Sequence, residues 1–363
     1  MRYLKTIRRG CIFGRVLLCM LTAIAGANAP AIAVEVSAFR LTVVSTEADR
    51  LSWAAASHLA EVAANNGLSV KLKLAASLGE HGFSAASAEL SSEHAPDLIV
   101  MPLRSLATQA PALEVLELPF FFSGIASVHQ AFDGELGGLL REQTRKQGWE
   151  LLALWDEGMH MLSGNRRYDR TINLTGMEFI LLRPDPVAEK QFRAFDAWTR
   201  SAQPQTREQL LRECMIGSRS ASLQQLWHER LDRVHLALSL TAHRYEGWVV
   251  VAPVTNWNKH SEKDQAALLK ALTAMTAWQR AEALRREREA LQKLETSGMQ
   301  IHSLTVEQRA GFLKRLPTWE TLLSDKLAPT LRQKLVAAAT TGATRQASAR
   351  KTLPKTKPET PGS

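Results

Sequence analysis

The chain has 363 residues and a formal net charge of +9, from 45 Lys and Arg against 36 Asp and Glu. All of that excess lies at the ends: residues 1–33 carry +5 and residues 341–363 carry +4, so the body from 34 to 340 is neutral. A neutral body of this length, in a chain that is 45% hydrophobic, can bury a substantial core. That excludes a disordered or fibrous class and removes the argument for a nucleic-acid partner.

In chain order, residues 1–33 read as an export signal. Arg2, Lys5, Arg8, Arg9 and Arg15 precede an apolar run, 16–25, that is too short to span a membrane comfortably, and Ala31-Ile32-Ala33 offers small residues for cleavage. Cleavage is expected after Ala33; the alternative, Ala27-Asn28-Ala29, would leave Pro30 directly after the cut. Arg8-Arg9 keeps a twin-arginine route open beside the general one, although Gly10-Cys11-Ile12 fits that signal poorly. Leu18 precedes Cys19 where a lipoprotein signal needs a small residue. Once Cys11 and Cys19 leave with the signal, Cys214 stands alone, and with Glu213 and Met215 beside it a core position is expected rather than a reactive one.

The body alternates strands and helices. Residues 39–44 read as a strand, 48–65 as an Ala-rich helix, 68–74 as a strictly alternating strand, and Asp97-Leu98-Ile99-Val100-Met101 as a strand buried on both faces. A helix is expected over 125–147 and a strand over 149–155. Strand 177–182 ends at Arg183-Pro184, helices follow over 187–196 and 205–214, and 247–252 is a strand. One long helix over 262–297 carries a charged outer face, Arg280 to Glu289, whose alternating signs predict a solvated surface. The pattern predicts an α/β fold with a mostly parallel sheet covered by helices. Residues 341–363, rich in Ala, Thr, Ser, Lys and Pro, are expected to form a disordered basic tail.

Catalytic patterns are scarce. There is no GxSxG, Walker loop, HExxH or CxxC. His228, His235 and His243 do not keep helical phase through the strand-like 234–240, which argues against a metal site. Asp156-Glu157 are adjacent and so point in different directions, against a shared acid/base role. No enzyme and no cofactor are expected.

One set of motifs is more specific. Glu117-Leu118-Pro119-Phe120-Phe121-Phe122, Ala131-Phe132-Asp133-Gly134, Gly148-Trp149 and Trp155-Asp156-Glu157-Gly158 resemble the solute-binding subunits of TRAP (tripartite ATP-independent periplasmic) transporters of the DctP type. Leu78-Gly79, Leu174-Thr175-Gly176-Met177, Leu240-Thr241-Ala242-His243-Arg244-Tyr245, the 279–289 helix and Leu304-Thr305-Val306-Glu307-Gln308-Arg309 follow in the same order, so the resemblance spans about 38–325. It implies a two-lobed periplasmic binding protein with mixed, mostly parallel sheets flanked by helices and a long C-terminal helix linking the lobes. Lobe I would comprise 34–157 with about 246–285, and lobe II 158–245 with about 286–335. The implied function is capture of a small organic anion, carboxylate-like, for delivery to TRAP membrane subunits.

The implied ligand groups depart from the family pattern. The family's principal arginine, four residues after the Gly of Leu174-Thr175-Gly176-Met177, falls on Ile180, and a second falls on His160. An Asp-Gly-x-x-Asn stretch falls on Gly217-Ser218-Arg219-Ser220-Ala221, and small residues after the third strand become Pro102-Leu103-Arg104. An aliphatic side chain cannot pair with a carboxylate. Two expectations follow. Either Arg183, Arg104 and Arg219 supply positive charge from new directions with His160 as a donor, or Ile180, Trp155 and Trp198 line an apolar or vestigial cleft. The alternative function is a periplasmic sensory or interaction protein that keeps the fold and has lost the transport ligand.

Overall fold

A computed structural model describes residues 38–44, 50–74, 96–182, 184–202 and 204–351. The elements are β1 (Ala38–Val43), α1 (Leu51–Ala64), β2 (Ser69–Leu74), β3 (Leu98–Pro102), α2 (Leu103–Ala107), a 3-10 segment (Pro111–Glu117), α3 (Ile125–Asp133), α4 (Glu135–Lys146), β4 (Trp149–Gly164), β5 (Glu178–Leu181) and α5 (Pro186–Ala194). They continue with β6 (Trp198–Ser201), α6 (Arg207–Ile216), β7 (Ser218–Ser222), α7 (Leu223–His228), β8 (Ala237–Pro253), α8 (Val254–Trp257), α9 (Glu262–Thr296), β9 (Gln300–Ser303), α10 (Val306–Leu313), α11 (Trp319–Leu322) and α12 (Pro329–Lys351).

The strands form a mixed sheet in the order β2-β1-β3-β8-β4-β7-β5-β6, with β9 also on β8. β1 pairs in parallel with β2 and β3, and β5 with β6 and β7. Two long antiparallel strands, β4 and β8, run through the middle and pair from Trp149↔Pro253 to Gly164↔Ala237. β3 joins the late part of β8, Trp248–Val251, whereas β9 joins its early part, Ala237–Leu240. The sheet therefore divides into two halves that share only β4 and β8, which is the two-lobed plan. At the crossing, the register shifts between Asp156 and Gly158. Gly158 has φ +145°, a region that side chains avoid, so a glycine permits this bulge.

Each half holds a cluster of its own, beside a larger one that contains both Ile99 of β3 and Ile180 of β5. In the first, α1 lays Ala55, Leu59 and Ala63 on Phe39, Leu41 and Val100, and the first half of α9 adds Leu268, Leu272 and Met275. A fully buried leucine such as Leu59 contributes about 1.5–3 kcal/mol. In the second half, Phe179 stacks on Phe192 at 4.1 Å between centroids, and Phe120 on Phe312 at 4.9 Å. Phe120, from the Leu-Pro-Phe motif, has φ +56°. Arg309 steadies that segment by donating to the carbonyls of Phe120 at 3.3 Å and Phe122 at 2.7 Å.

Three elements differ from the sequence expectation. The helix expected over 125–147 is two helices, because Gly134 adopts an extended conformation. Gly137 then lies so close to the end of α3 that a Cβ there would stand 1.7 Å from the Phe132 carbonyl oxygen. Strands 149–155 and 247–252 are parts of much longer strands, β4 and β8, carried on through polar residues that sit in the centre of the sheet. Residues 341–351, expected in the disordered tail, continue helix α12, consistent with their Ala, Gln, Arg and Lys content. Residues 352–363, the segment 1–33 expected to be an export signal, and Leu78-Gly79 lie outside the described residues.

Candidate functional site

The residues singled out from the sequence are held inside the fold. Ile180 is fully buried on β5 and packs in the cluster that contains Leu210, Cys214 and Ala221. Burial pushes the Cys214 thiol up to about 12, which makes it an inert core group. Trp155 is also fully buried, and its indole N–H donates to Thr276 Oγ1 at 3.2 Å. Arg219 presents Nε and Nη2 to Glu229 at 3.1 and 3.0 Å, while Nη1 donates to the carbonyls of Ser220 at 2.9 Å and Ile180 at 3.3 Å. Trp198 is half-exposed on the outermost strand, β6. Arg183 lies outside the described residues.

Arg104 belongs to a buried ionic cluster that bridges the halves. It pairs with Glu117, lies 3.4 Å from Asp185 and 3.9 Å from Glu114. Asp185 follows β5, caps α5 by accepting from the Ala188 N–H at 3.0 Å, and also pairs with Arg244. Burial alone would raise the Asp185 carboxyl, but Arg104 and Arg244 hold it well below the usual range. Burial outweighs Arg104 at Glu117 and pushes that carboxyl up to about 7. Two guanidinium groups thus face Asp185, Glu114 and a partly protonated Glu117, which keeps the cluster near neutrality.

His160 sits in a directional chain. Glu246 is an acceptor: the His160 ring and the Gln225 amide both hydrogen-bond its carboxylate, which favours the ionised form against the effect of burial. The His160 Nε2–H therefore donates to Glu246 at 3.0 Å, and Nδ1 accepts from Ser220 Oγ at 2.9 Å. Ser220 accepts from His243 Nε2 at 3.1 Å, and His243 Nδ1 accepts from Thr241 Oγ1 at 2.7 Å. Both imidazoles are neutral in this pattern, and burial lowers both, His243 far below 6.5. A depressed folded pKa means that the His243 contribution is complete above pH 6.5 and is lost as the pH falls, at about 1.4 kcal/mol per unit while the ring stays neutral in the fold. The stability gap between wild type and His243→Gln should therefore narrow from pH 7.5 to 5.5 in urea titrations; a constant or widening gap would contradict the neutral assignment.

A cavity of about 340 Å³ is bounded by Arg50 and Leu51 where α1 begins, by Glu157 of β4, by α7 and by the later turns of α9. Four cations line it, Arg50, Arg285, Arg286 and Lys293, with the carboxyls of Glu157 and Glu289; Arg285 pairs with Glu289 and with Glu282, and Glu282 also pairs with Arg286. Burial pushes Glu157 up despite Arg50, and its Oε2 accepts from Trp248 Nε1 at 2.9 Å. Arg286 is oriented by Glu282 at 2.9 Å, and Lys293 lies 5.7 Å from the centroid of Trp227. Gln224 and Gln225 complete the wall beside Trp227. The charges of α9, expected to be a solvated face, in part line this cavity.

None of Arg104, Trp155, His160, Ile180 or Arg219 lines the cavity; His160 reaches it at one remove, through Glu246 and Gln225. Among the described residues no group of His, Cys, Asp and Glu is arranged to hold a metal ion, and no helix is long and apolar enough to cross a membrane. The arrangement offers anion pairing, hydrogen bonding and an aromatic wall.

Residues 46–322 match the family described as bacterial extracellular solute-binding protein, family 7, DctP. The C4-dicarboxylate-binding protein DctB of Bacillus subtilis is 23% identical over 213 residues, 58% of this chain and 61% of that protein. The C4-dicarboxylate-binding periplasmic protein DctP of Rhodobacter capsulatus is 23% identical over 229 residues, 62% of this chain and 66% of its own. The matched region thus spans less than two thirds of either curated relative. A solved TRAP periplasmic solute binding protein from Ochrobactrum anthropi, with its C-terminus bound in the ligand-binding pocket, superposes with a TM-score of 0.76 at 19% identity, covering 88% of this chain and 99% of that one. That likeness shows the same fold.

Proposed function

The chain belongs to the bacterial extracellular solute-binding proteins of family 7, and we propose that it is the periplasmic binding subunit of a TRAP-type transporter with a small organic anion as its solute. The observation that carries this reading is the cavity beside the strand crossing, where Arg50, Arg285, Arg286 and Lys293 converge, Arg285 and Arg286 held in place by Glu282 and Glu289. Arg50 starts α1 in the first half, Gln224 and Gln225 lie on α7 in the second, and α9 runs along both, so a bound anion ties the halves together. A hinge at the proposed lobe boundaries, 157/158 and 245/246, is supported by the register shift between Asp156 and Gly158, where Gly158 pairs with Glu246. Rotation there would close the cavity, exclude water and strengthen each charge contact. Export through the N-terminal signal and docking of the closed form on TRAP membrane subunits complete the proposal.

A second reading rests on the Arg104–Asp185 pair, which joins the halves without any solute. In it, the fold closes on itself and a partner protein reads that state. Thermal unfolding with a panel of organic acids, succinate first, separates the two. At a concentration one hundred times Kd, a ligand adds about 2.7 kcal/mol of stability. Arg286→Ala should remove that gain while leaving the unliganded melting temperature within a few degrees. No shift with any acid would leave the second reading standing and the first without support.

A further inference from the structure

The buried cluster between the halves holds more carboxyls than cations. Arg104, Glu114 and Glu117 follow β3 in the first half, Asp185 follows β5 in the second, and Arg244 stands opposite His160 where β8 serves the second. Arg104 reaches Glu117, Asp185 and Glu114, and Asp185 also takes Arg244, so three carboxyls face two guanidinium groups. Glu117, Asp185 and Arg244 are each at most 5% exposed. Arg104 Nε and Arg244 Nε have no hydrogen-bond partner among the described residues. Charge balance, more than hydrogen bonding, therefore holds this contact together.

The three carboxyls are not equivalent. Glu114 also accepts from the Ser324 N–H at 2.7 Å and faces Lys190 of α5. Asp185 has both guanidinium groups and the Ala188 N–H. Glu117 pairs with Arg104, a cation it shares with the other two, while Arg244 acts on it from farther away and Asp185 and Glu246 oppose its charge. Beyond Glu246 lies His160 of β4, whose ring is bonded to Glu246 and Ser220 on adjacent strands. Glu117 is thus the surplus acid. In a buried site such a carboxyl either keeps a proton or moves out to water.

We propose that the Arg104–Glu117–Asp185–Arg244 cluster is a latch between the halves that needs no solute and is operated by a proton on Glu117. With the proton in place the charges balance and the halves stay together; without it, Glu117 repels Asp185 and Glu246 and the halves part. The latch does not depend on what the cavity beside α9 takes up. The sign of its pH dependence follows from burial. In the assembled cluster the Glu117 carboxyl is raised from 4.5 to about 7, so the closed form is the one that binds the proton. Closure is favoured at low pH and lost as the pH rises through about 7. For a Glu117 that reaches water on opening, the ratio of closed to open molecules falls by up to about thirtyfold from pH 5.5 to 8.

Small-angle X-ray scattering of the full chain without solute, from pH 5.5 to 8, tests this. The radius of gyration is expected to rise with pH, with its midpoint near 7. Glu117→Gln, a neutral replacement of the same shape as the protonated acid, should keep the pH 5.5 radius at pH 8. Comparison with this variant at each pH cancels the titration of groups elsewhere. If Glu117→Gln does not fold, Glu117→Met removes the same charge and takes its place. A radius that does not change with pH overturns the proposal, as does a rise that persists in the neutral variant. A radius that falls as the pH rises, the sign expected if His160 were the titrating group, also overturns it.

Discussion

Asp185→Asn should destabilise the protein by about 3 kcal/mol in urea unfolding, the scale on which breaking a buried ion pair leaves a cation uncompensated. Asparagine is as good an N-cap as aspartate, so this variant keeps the start of α5 and isolates the charge; Asp185→Ala should lose about 1 kcal/mol more. The loss is moderated by Glu117. Asp185 is one of the charges that keep the Glu117 carboxyl high, so removing it lets Glu117 ionise and serve Arg104 in its place. The double variant Asp185→Asn, Glu117→Gln should accordingly lose more than the sum of the single losses. A single variant within 1 kcal/mol of wild type would show that Arg104 and Arg244 find other partners or water.

Ile180→Arg, which puts an arginine where the family pattern expects one, should damage the fold rather than create a ligand site. Ile180 is fully buried among apolar neighbours, and its register partner on β7 is Arg219, whose guanidinium already donates to the Ile180 carbonyl. Gly217 leaves room for Ile180: a Cβ there would stand 2.7 Å from Ile180 Cγ1. A second guanidinium would enter this packing with Glu229 already committed to Arg219, and an unpaired buried charge costs several kcal/mol. Ile180→Val, a control that removes one methyl, should cost only about 0.5–1.5 kcal/mol. If Ile180→Arg unfolds at the wild-type urea concentration and binds succinate more tightly, the side chain at this position does reach the solute.

Local pattern was enough to read most elements, because strand alternation, helical spacing and the Leu118-Pro119-Phe120 turn are written over a few residues. Partners distant in sequence were not legible. Arg219 finds Glu229 across a strand and a helix, and Arg104 finds Asp185 after a separation of 81 residues, so from sequence alone both had the look of free cations. The face of β5 that carries Ile180 was equally hidden, since a four-residue strand has too few positions to set its sides. Arg50, Glu157, Gln224 and Arg286 come from four separate elements and share no motif; only the fold brings them to one cavity. The clue that could have been weighed more heavily is the pair Gln224-Gln225 in the first turn of α7, two and three residues after the Ser222 that caps it, a start at which polar side chains gather.

The central position of β8 bears on the order in which the protein can be completed. β3 and β4 are made early, yet in the finished sheet β8 stands between them, and its last residue is Pro253. Until that strand leaves the ribosome the sheet lacks its middle, and neither half can close its core. Pairings of such long sequence separation form slowly. For a chain whose first residues read as an export signal, a nascent form that cannot finish its sheet is one that a translocation channel can still thread.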